Sequence, residues 1–322
     1  MILHKRTLGH ADVQLSPIGL GAWQFANYRF GPFNTWQQVA TSEIDGIIAT
    51  ALEHGINWFD TAELYGFGRS ERALADGLQR AARQNGDVHI ATKWSPLLRT
   101  ARSITATIDR RIRSLKPYTI DLYQIHFPGA IASIEQQMDA MASLAHAGKI
   151  HSIGVSNFSA SQMKRAHERL QRHGLALSSN QVRYHLLDRR IENNGTLSLA
   201  DELGITIIAY SPLGMGLLTG KFHDNPELLA SRPLNRRRSL QRALEPSRPL
   251  IDVMRNMASK HDVSIAQVAL NWVILTPGEH VVAIPGATRI RHAQDSAGAM
   301  HFQLSSDEWE ELKAASDTVA FP

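Results

Sequence analysis

Eight short runs of β-branched and apolar residues, each followed by a turn and then by a stretch of helical spacing, constrain most strongly what this chain can fold into. The runs are Ile18–Leu20, Ile56–Phe59, Val88–Thr92, Ile120–Ile125, Ile150–Val155, a weaker one at Leu177–Asn180, Ile205–Ala209 and Val281–Ile284. Helices are expected to start near Glu43, Arg69, Ser103, Ser133, Ser159, Gly195, Ser264 and Arg289. Eight such alternations predict an α/β fold in which the parallel strands close into a (β/α)8 TIM barrel. The local signals agree with that period. Ile44, Ile47, Ile48, Ala51 and Leu52 form one apolar stripe that Gly55 ends, and Ser159 can cap a helix whose buried face is Met163, Ala166 and Leu170.

The 322 residues are expected to form a single barrel domain spanning 1–322. The segment before Ser16 and Pro17 reads as a small hairpin turning near Gly9 and His10. The stretch 222–248 breaks the rhythm with Pro226, Pro233, Pro246 and a concentration of Arg, and is expected to be a long loop or lid after the seventh strand, helical around Ser239–Leu244. A last helix is expected over Ser305–Asp317; with Ser306 as its cap, the third residue on is Trp309, so no capping box is expected.

Composition narrows the chemistry. The chain has no cysteine, which removes disulfides, thiolate nucleophiles and sulfur-ligated zinc, and no metal site is expected. No stretch approaches the length of a membrane span and no signal-like apolar run follows His4, Lys5 and Arg6, so the expected location is cytoplasmic, with no membrane partner. A net charge of +4 suits a phosphate-bearing cofactor as readily as nucleic acid. The Arg232–Arg248 segment could serve a nucleic-acid-binding module, but it lacks interleaved aromatics and Pro interrupts any basic helix, so nucleic acid is not expected as a partner.

In a barrel, chemistry sits just past the C-terminal ends of the strands. Those positions hold Asp60, Lys93, His126, Ser156, Asn157, Gln181, Tyr210, Ser211 and Gly286, and Tyr65 lies in the loop after Asp60. Asp60, Lys93 and His126 are 33 residues apart in both intervals, one βα unit each, so the three should converge on one mouth. A carboxylate beside a buried ammonium keeps it charged, and that charge should lower the pKa of a neighbouring phenol and make it a proton donor. A strand-end charge taken alone is as readily a structural ion pair, and a lone Tyr or His is as readily packing; the joint placement is what points to a site.

The same residues carry a family resemblance over nearly the whole chain. FDTAELYGFGRSE from Phe59 to Glu71, ATK from Ala91 to Lys93, DLYQIH from Asp121 to His126, GKIHSIGVSNFS from Gly148 to Ser159, SNQVRY from Ser179 to Tyr184, AYSPLGMGLLTGK from Ala209 to Lys221 and IPGATR from Ile284 to Arg289 resemble the aldo-keto reductases, most of all the branch that includes pyridoxal reductases. The resemblance implies a catalytic tetrad of Asp60, Tyr65, Lys93 and His126, with Tyr65 as general acid, Lys93 and Asp60 tuning it, and His126 orienting the carbonyl and assisting proton delivery. It implies that Ser156, Asn157 and Gln181 hold a nicotinamide carboxamide, that Tyr210 stacks on the ring, and that Ser211, Leu213, Gly216 and Leu218 line the pyrophosphate path. Gly286 falls in the loop after strand eight, where barrels commonly hold phosphate. Thr288 and Arg289 suit a ribose 2′-phosphate, which makes NADPH the expected cofactor and NADH a weaker alternative. Asp295–Ser296 stands where members often carry Glu–Asn, a departure on the adenine side.

Trp23, Phe25, Tyr28, Phe30, Trp94 and Phe127 are expected to line the pocket and to favour a planar aromatic aldehyde such as pyridoxal. The expected function is NADPH-dependent reduction of a small-molecule carbonyl; the sequence leaves the oligomeric state open, a monomer included. A barrel isomerase would need a carboxylate base, and Asp60 is committed to Lys93. A non-catalytic cofactor-sensing regulatory subunit would retain the same cofactor residues and differ only in turnover.

Overall fold

The computed structural model describes residues 3–27 and 38–319. The expectations for Tyr28 and Phe30 fall outside them. Arg6–Thr7 (β1) and Gln14–Leu15 (β2) pair antiparallel as the expected N-terminal hairpin. The barrel strands are β3 (Leu20–Gly21), β4 (Trp58–Asp60), β5 (His89–Trp94), β6 (Leu122–Ile125), β7 (Ser152–Ser156), β8 (Leu177–Arg183), β9 (Thr206–Tyr210) and β10 (Val281–Ile284). They pair in parallel in sequence order, and the bridges Ile18 to Ala283 and Gly21 to Gly286 join the first strand to the last. The amides of Gly19 and Gly21 donate to Ala283 and Pro285 across that seam.

Around the sheet lie α1 (Thr41–Glu53), α2 (Arg69–Arg80), α3 (Arg102–Leu115), α4 (Ile134–His146), α5 (Ala160–Gln171), α6 (Arg190–Asn193) and α7 (Thr196–Glu202). After β9 come a 3₁₀ segment at Gly214–Thr219, then α8 (Lys221–Asp224), a 3₁₀ segment at Pro226–Ser231, α9 (Leu234–Leu244), α10 (Arg248–His261) and α11 (Ile265–Ile274). α12 (Ile290–Gly298) and α13 (Ser306–Asp317) complete the layer. The excursion after β9 is thus mostly helical, and α9 starts five residues earlier than Ser239. Pro233 sits at its N-cap, where a missing amide costs nothing, and Leu240, Ala243 and Leu244 are buried.

Capping explains several helix starts. Ser133, Ser159 and Ser264 each accept the amide of a Gln three residues on, and that Gln returns the bond to the Ser backbone. The expectation for α13 is corrected: its cap is Ser305, not Ser306, and Glu308 completes a capping box. A one-residue change of cap moves the third position from Trp309 to Glu308.

Strand alternation divides the interior from the helix layer. Trp58, Ala91, Leu122, Ile208 and Val282 fill the lower barrel and pack with Leu8, Val13 and Leu15 of the hairpin, which plugs the N-terminal end. Trp58 donates from Nε1 to the Ser16 carbonyl (2.9 Å). Its ring lies where a Cβ on Gly19 would fall, 2.2 Å away, so any larger residue at 19 would displace it. Burying one such ring stabilises the fold by about 1.5–3 kcal/mol. Above this layer the interior turns polar, with Asp60, Lys93, Gln124 and Gln181 all buried.

Candidate active site

Asp60 ends β4 and Lys93 lies one residue from the end of β5, so both side chains point into the upper barrel. The Lys93 ammonium donates to Asp60 Oδ1 and to the Thr61 carbonyl (2.9 Å). Asp60 Oδ2 accepts from Gln181 Nε2 (2.9 Å) and Gln124 Nε2 (3.2 Å), so each carboxylate oxygen is satisfied inside the barrel. A pair this dry contributes little net stability, and losing either partner would leave a buried charge.

The Lys93 ammonium lies 5.1 Å from the Tyr65 ring centroid. The Tyr65 and His126 rings meet edge-on with centroids 5.7 Å apart. The expected tetrad is therefore assembled at one mouth. One expectation is corrected: the Tyr65 phenol is raised above its ordinary value, not lowered, because burial of the hydroxyl outweighs the Lys93 charge. Tyr65 is thus fully protonated at neutral pH. Burial would lower Lys93, but Asp60 and Tyr65 hold it above the usual range. His126 is pushed down to about 3 by burial, then by Lys93, so it acts as a neutral ring; its Nδ1 is buried without a partner among the described residues.

Trp23 stacks on Tyr65 (5.7 Å, 21°) and is 42% exposed, and Phe127 lies 5.6 Å from His126. These two rings lie beside the tetrad at the mouth. Phe25 and Trp94 do not: both are buried in the hydrophobic core. Trp94 follows the inward Lys93, so the alternation of β5 turns it out toward α3, where Nε1 donates to Ser103 Oγ (3.1 Å). The excursion reaches the rim, since the Arg236 guanidinium sits 5.7 Å over the Trp23 ring.

On the opposite strands, Ser156 Oγ donates to the Gln181 carbonyl (2.8 Å), Asn157 Nδ2 to Ser156 Oγ (3.0 Å), and the Tyr210 hydroxyl to Asn157 Oδ1 (3.0 Å). The fold therefore brings Ser156, Asn157, Gln181 and Tyr210 together beside the tetrad. Asn157 and Ser211 take left-handed backbone (φ 58° and 53°), as Met215 and Gly216 do in the following 3₁₀ segment. Leu213 is partly exposed, but Leu218 is fully buried and offers no side chain to a ligand. Gly286 is exposed just past the C-terminal end of β10, and a Cβ there would fall 2.3 Å from Gln24 Nε2. Gln24 itself is buried with Oε1 unpartnered among the described residues.

A cationic cluster that the sequence does not announce lies along the same path. The half-buried Lys221 is lowered by burial and then by Arg232 and Arg291. Among the described residues none of these three is in an ion pair with a carboxylate. Burial and then Lys221, Arg291 and Arg289 push His292 down to about 4. Thr288 contacts His292 Nδ1 (3.3 Å), and exposed Arg289 caps α12. Glu43 and Asp295 offset part of this charge, and the cations left over fit a ligand that carries several phosphate charges, which is the donor set a dinucleotide requires. Ser296 is buried.

A second group of buried charges lies behind Lys93, between the sheet and α2 and α3. Glu71 is raised to about 7 by burial, against the opposing pull of Arg111 and Thr92. The folded chain binds this proton more tightly than the unfolded chain. Glu71 therefore contributes stability that is full below its ordinary value and is lost as pH rises from 4.5 to about 7. Replacing Glu71 with Gln is expected to flatten the fall in Tm over that window, measured by calorimetry; an unchanged slope would refute the assignment.

Among the described residues no group of three or more His, Asp or Glu is placed to hold a metal, and no helix is long and apolar enough to cross a membrane. The sequence matches the Aldo/keto reductase family over residues 17–317. A chloroplastic pyridoxal reductase of Arabidopsis thaliana is 32% identical over 316 residues, covering 94% of this chain and 84% of the relative. The crystal structure of a thermostable aldo-keto reductase, Tm1743, bound to the inhibitor epalrestat superposes with a TM-score of 0.78 at 27% identity, covering 97% and 99% of the two chains. An aldo-keto reductase from Klebsiella pneumoniae, solved in complex with NADPH, does so with a TM-score of 0.73 at 26% identity, covering 98% and 95%. With the barrel, the strand-end tetrad and these matches in place, the chain belongs to the aldo-keto reductase family of oxidoreductases.

Proposed function

We propose that this chain reduces an aldehyde or ketone to its alcohol with NADPH, and that Tyr65 donates the proton. The observation that carries this reading is the contact of one protonated phenol with a buried ammonium, which is itself fixed by Asp60, at a mouth rimmed by Trp23 and Phe127. NADPH, when bound, supplies the hydride. Tyr65 gives its proton to the carbonyl oxygen, and Lys93 stabilises the phenolate left behind, which offsets the cost that burial imposes on that charge. Neutral His126 orients the same oxygen by a hydrogen bond. Ser156, Asn157 and Gln181 would hold the carboxamide of the ring, and Tyr210 would stack on it, with Arg183 lying over the Tyr210 ring at 5.8 Å. Lys221, Arg232, Arg291, Thr288 and Arg289 would meet the phosphates. The two rim aromatics favour a planar substrate, and the Arabidopsis relative's name makes pyridoxal the first aldehyde to try.

The expected result is loss of NADPH absorbance with a planar aromatic aldehyde, faster than with an open-chain sugar and unaffected by exhaustive chelation. NADPH binding without turnover on any member of a carbonyl panel would instead favour a cofactor-sensing subunit. A chelator-sensitive rate restored by metal would overturn the proton-donor mechanism.

A further inference from the structure

The loop that carries Tyr65 is bolted from behind by a largely buried network of Glu63, Glu71, Arg99 and Arg111. Glu63, two residues before Tyr65, accepts from the Ser95 amide (2.5 Å), from Arg99 and from Arg111 (3.0 Å). Arg111, on α3, is nearly buried; its Nε also lies 3.0 Å from the fully buried Glu71 of α2. Glu71 accepts from Thr92 Oγ1 (2.7 Å), and Thr92 directly precedes Lys93 on β5. Arg99 adds bonds to the Ser95 carbonyl (3.1 Å) and Thr107 Oγ1 (2.8 Å). Ser95 is two residues beyond Lys93, so the network grips β5 on both sides of the lysine.

A buried ionic cluster seldom stabilises a fold more than apolar packing of the same volume would. What it supplies here is direction. Glu63 has bonds from a strand-end amide and from two α3-side guanidiniums, and these fix the rise of the loop between Asp60 and Tyr65. The hydroxyl of Tyr65 must meet both Lys93 and the substrate oxygen, and a shift of about 1 Å in such a group can cost about 100-fold in rate.

We propose that Glu63, Arg111 and Glu71 are positioning residues of the reduction: they lock the Tyr65 loop to the Lys93 strand so that the phenol is aligned before substrate arrives. The inference rests on the reading of Tyr65 as the proton donor. Glu63→Gln keeps the side-chain shape but removes the charge that draws in Arg99 and Arg111. It is expected to lower kcat about tenfold or more, with KM and the NADPH Kd within about twofold, measured on folded protein. Arg111→Lys keeps the charge but loses the planar guanidinium that reaches Glu63 and Glu71 from separate nitrogens, and is expected to act in the same direction should Glu63→Gln fold poorly.

Glu308→Gln is the control for lost stability. Glu308 binds Lys260 and His261 near the start of α13, remote from the tetrad, so that variant is expected to lower Tm with kcat unchanged. Parent-like kcat in folded Glu63→Gln and Arg111→Lys overturns the proposal. So does a kcat loss no larger than that of Glu308→Gln at equal loss of Tm. Tyr65→Phe separates the two readings: full activity in that variant removes Tyr65 as donor, whereas its inactivity beside an active Glu63→Gln removes only the positioning network.

Discussion

Replacing Tyr65 with Phe is expected to lower the reduction rate by about 10²- to 10⁴-fold and to leave NADPH affinity within about twofold. The ring keeps its volume, so its stacking on Trp23 and its edge contact with His126 survive; only the hydroxyl facing Lys93 is lost. Its removal also leaves the Lys93 ammonium with Asp60 and the Thr61 carbonyl as partners, which is enough to keep it charged and buried. Steady-state kinetics with a carbonyl substrate, paired with cofactor titration by Trp fluorescence, separates the two effects. Turnover equal to the parent would mean that the proton comes from elsewhere. His126 is a poor substitute, because a ring that protonates only near pH 3 carries no second proton at neutral pH.

What the sequence makes legible is whatever a single strand or helix decides by its own period. Val281–Ile284 is predicted and found with the same bounds, and Ser133, Ser159 and Ser264 mark helix starts because capping is a local bond. β8 is weak as a signal yet is a seven-residue strand. Its Ser179 and Gln181 face a polar barrel interior, while Asn180 bonds back to Phe158, so no apolar alternation is required. α10 carries a helical stripe at Leu250, Ile251, Met254 and Met257, but it follows a Pro- and Arg-rich stretch that masks it. The tetrad is legible because strand ends converge by topology.

The pocket lining is less so. An aromatic next to a catalytic residue on a strand must point the other way, and that rule alone places Trp94 in the helix layer once Lys93 is inside. The direction of the Tyr65 shift is a balance between burial and one nearby charge, and only the folded geometry weighs them. Lys221, Arg232 and Arg291, like Glu63, Glu71 and Arg111, are scattered in sequence, and no period links them.

Replacing Arg289 with Ala is expected to weaken NADPH binding by about 10- to 150-fold and to leave NADH almost unaffected. The span corresponds to a charge-assisted hydrogen bond of about 1.5–3 kcal/mol that only the 2′-phosphate can return. Arg289 stands at the N-cap of α12, where a cation is disfavoured by the helix dipole. The amide of Ile290, the first residue of that helix, already donates to Glu43 Oε1 (2.8 Å), so a carboxylate answers the helix end while Arg289 stays exposed. Burial first, and then Lys221, Arg291 and Arg289, push His292 down to about 4, and these three cations make the turn a place of positive potential beyond what Glu43 offsets. A phosphate dianion fits that excess, and a ribose hydroxyl does not. The test is titration of both cofactors into both proteins. Equal losses for NADPH and NADH would assign Arg289 to the diphosphate common to them, and no loss for either would make it a solvated cap; both outcomes refute a 2′-phosphate contact. A selective loss of NADPH that shrinks as salt is raised would fit an exposed guanidinium meeting phosphate, since screening weakens such a pair.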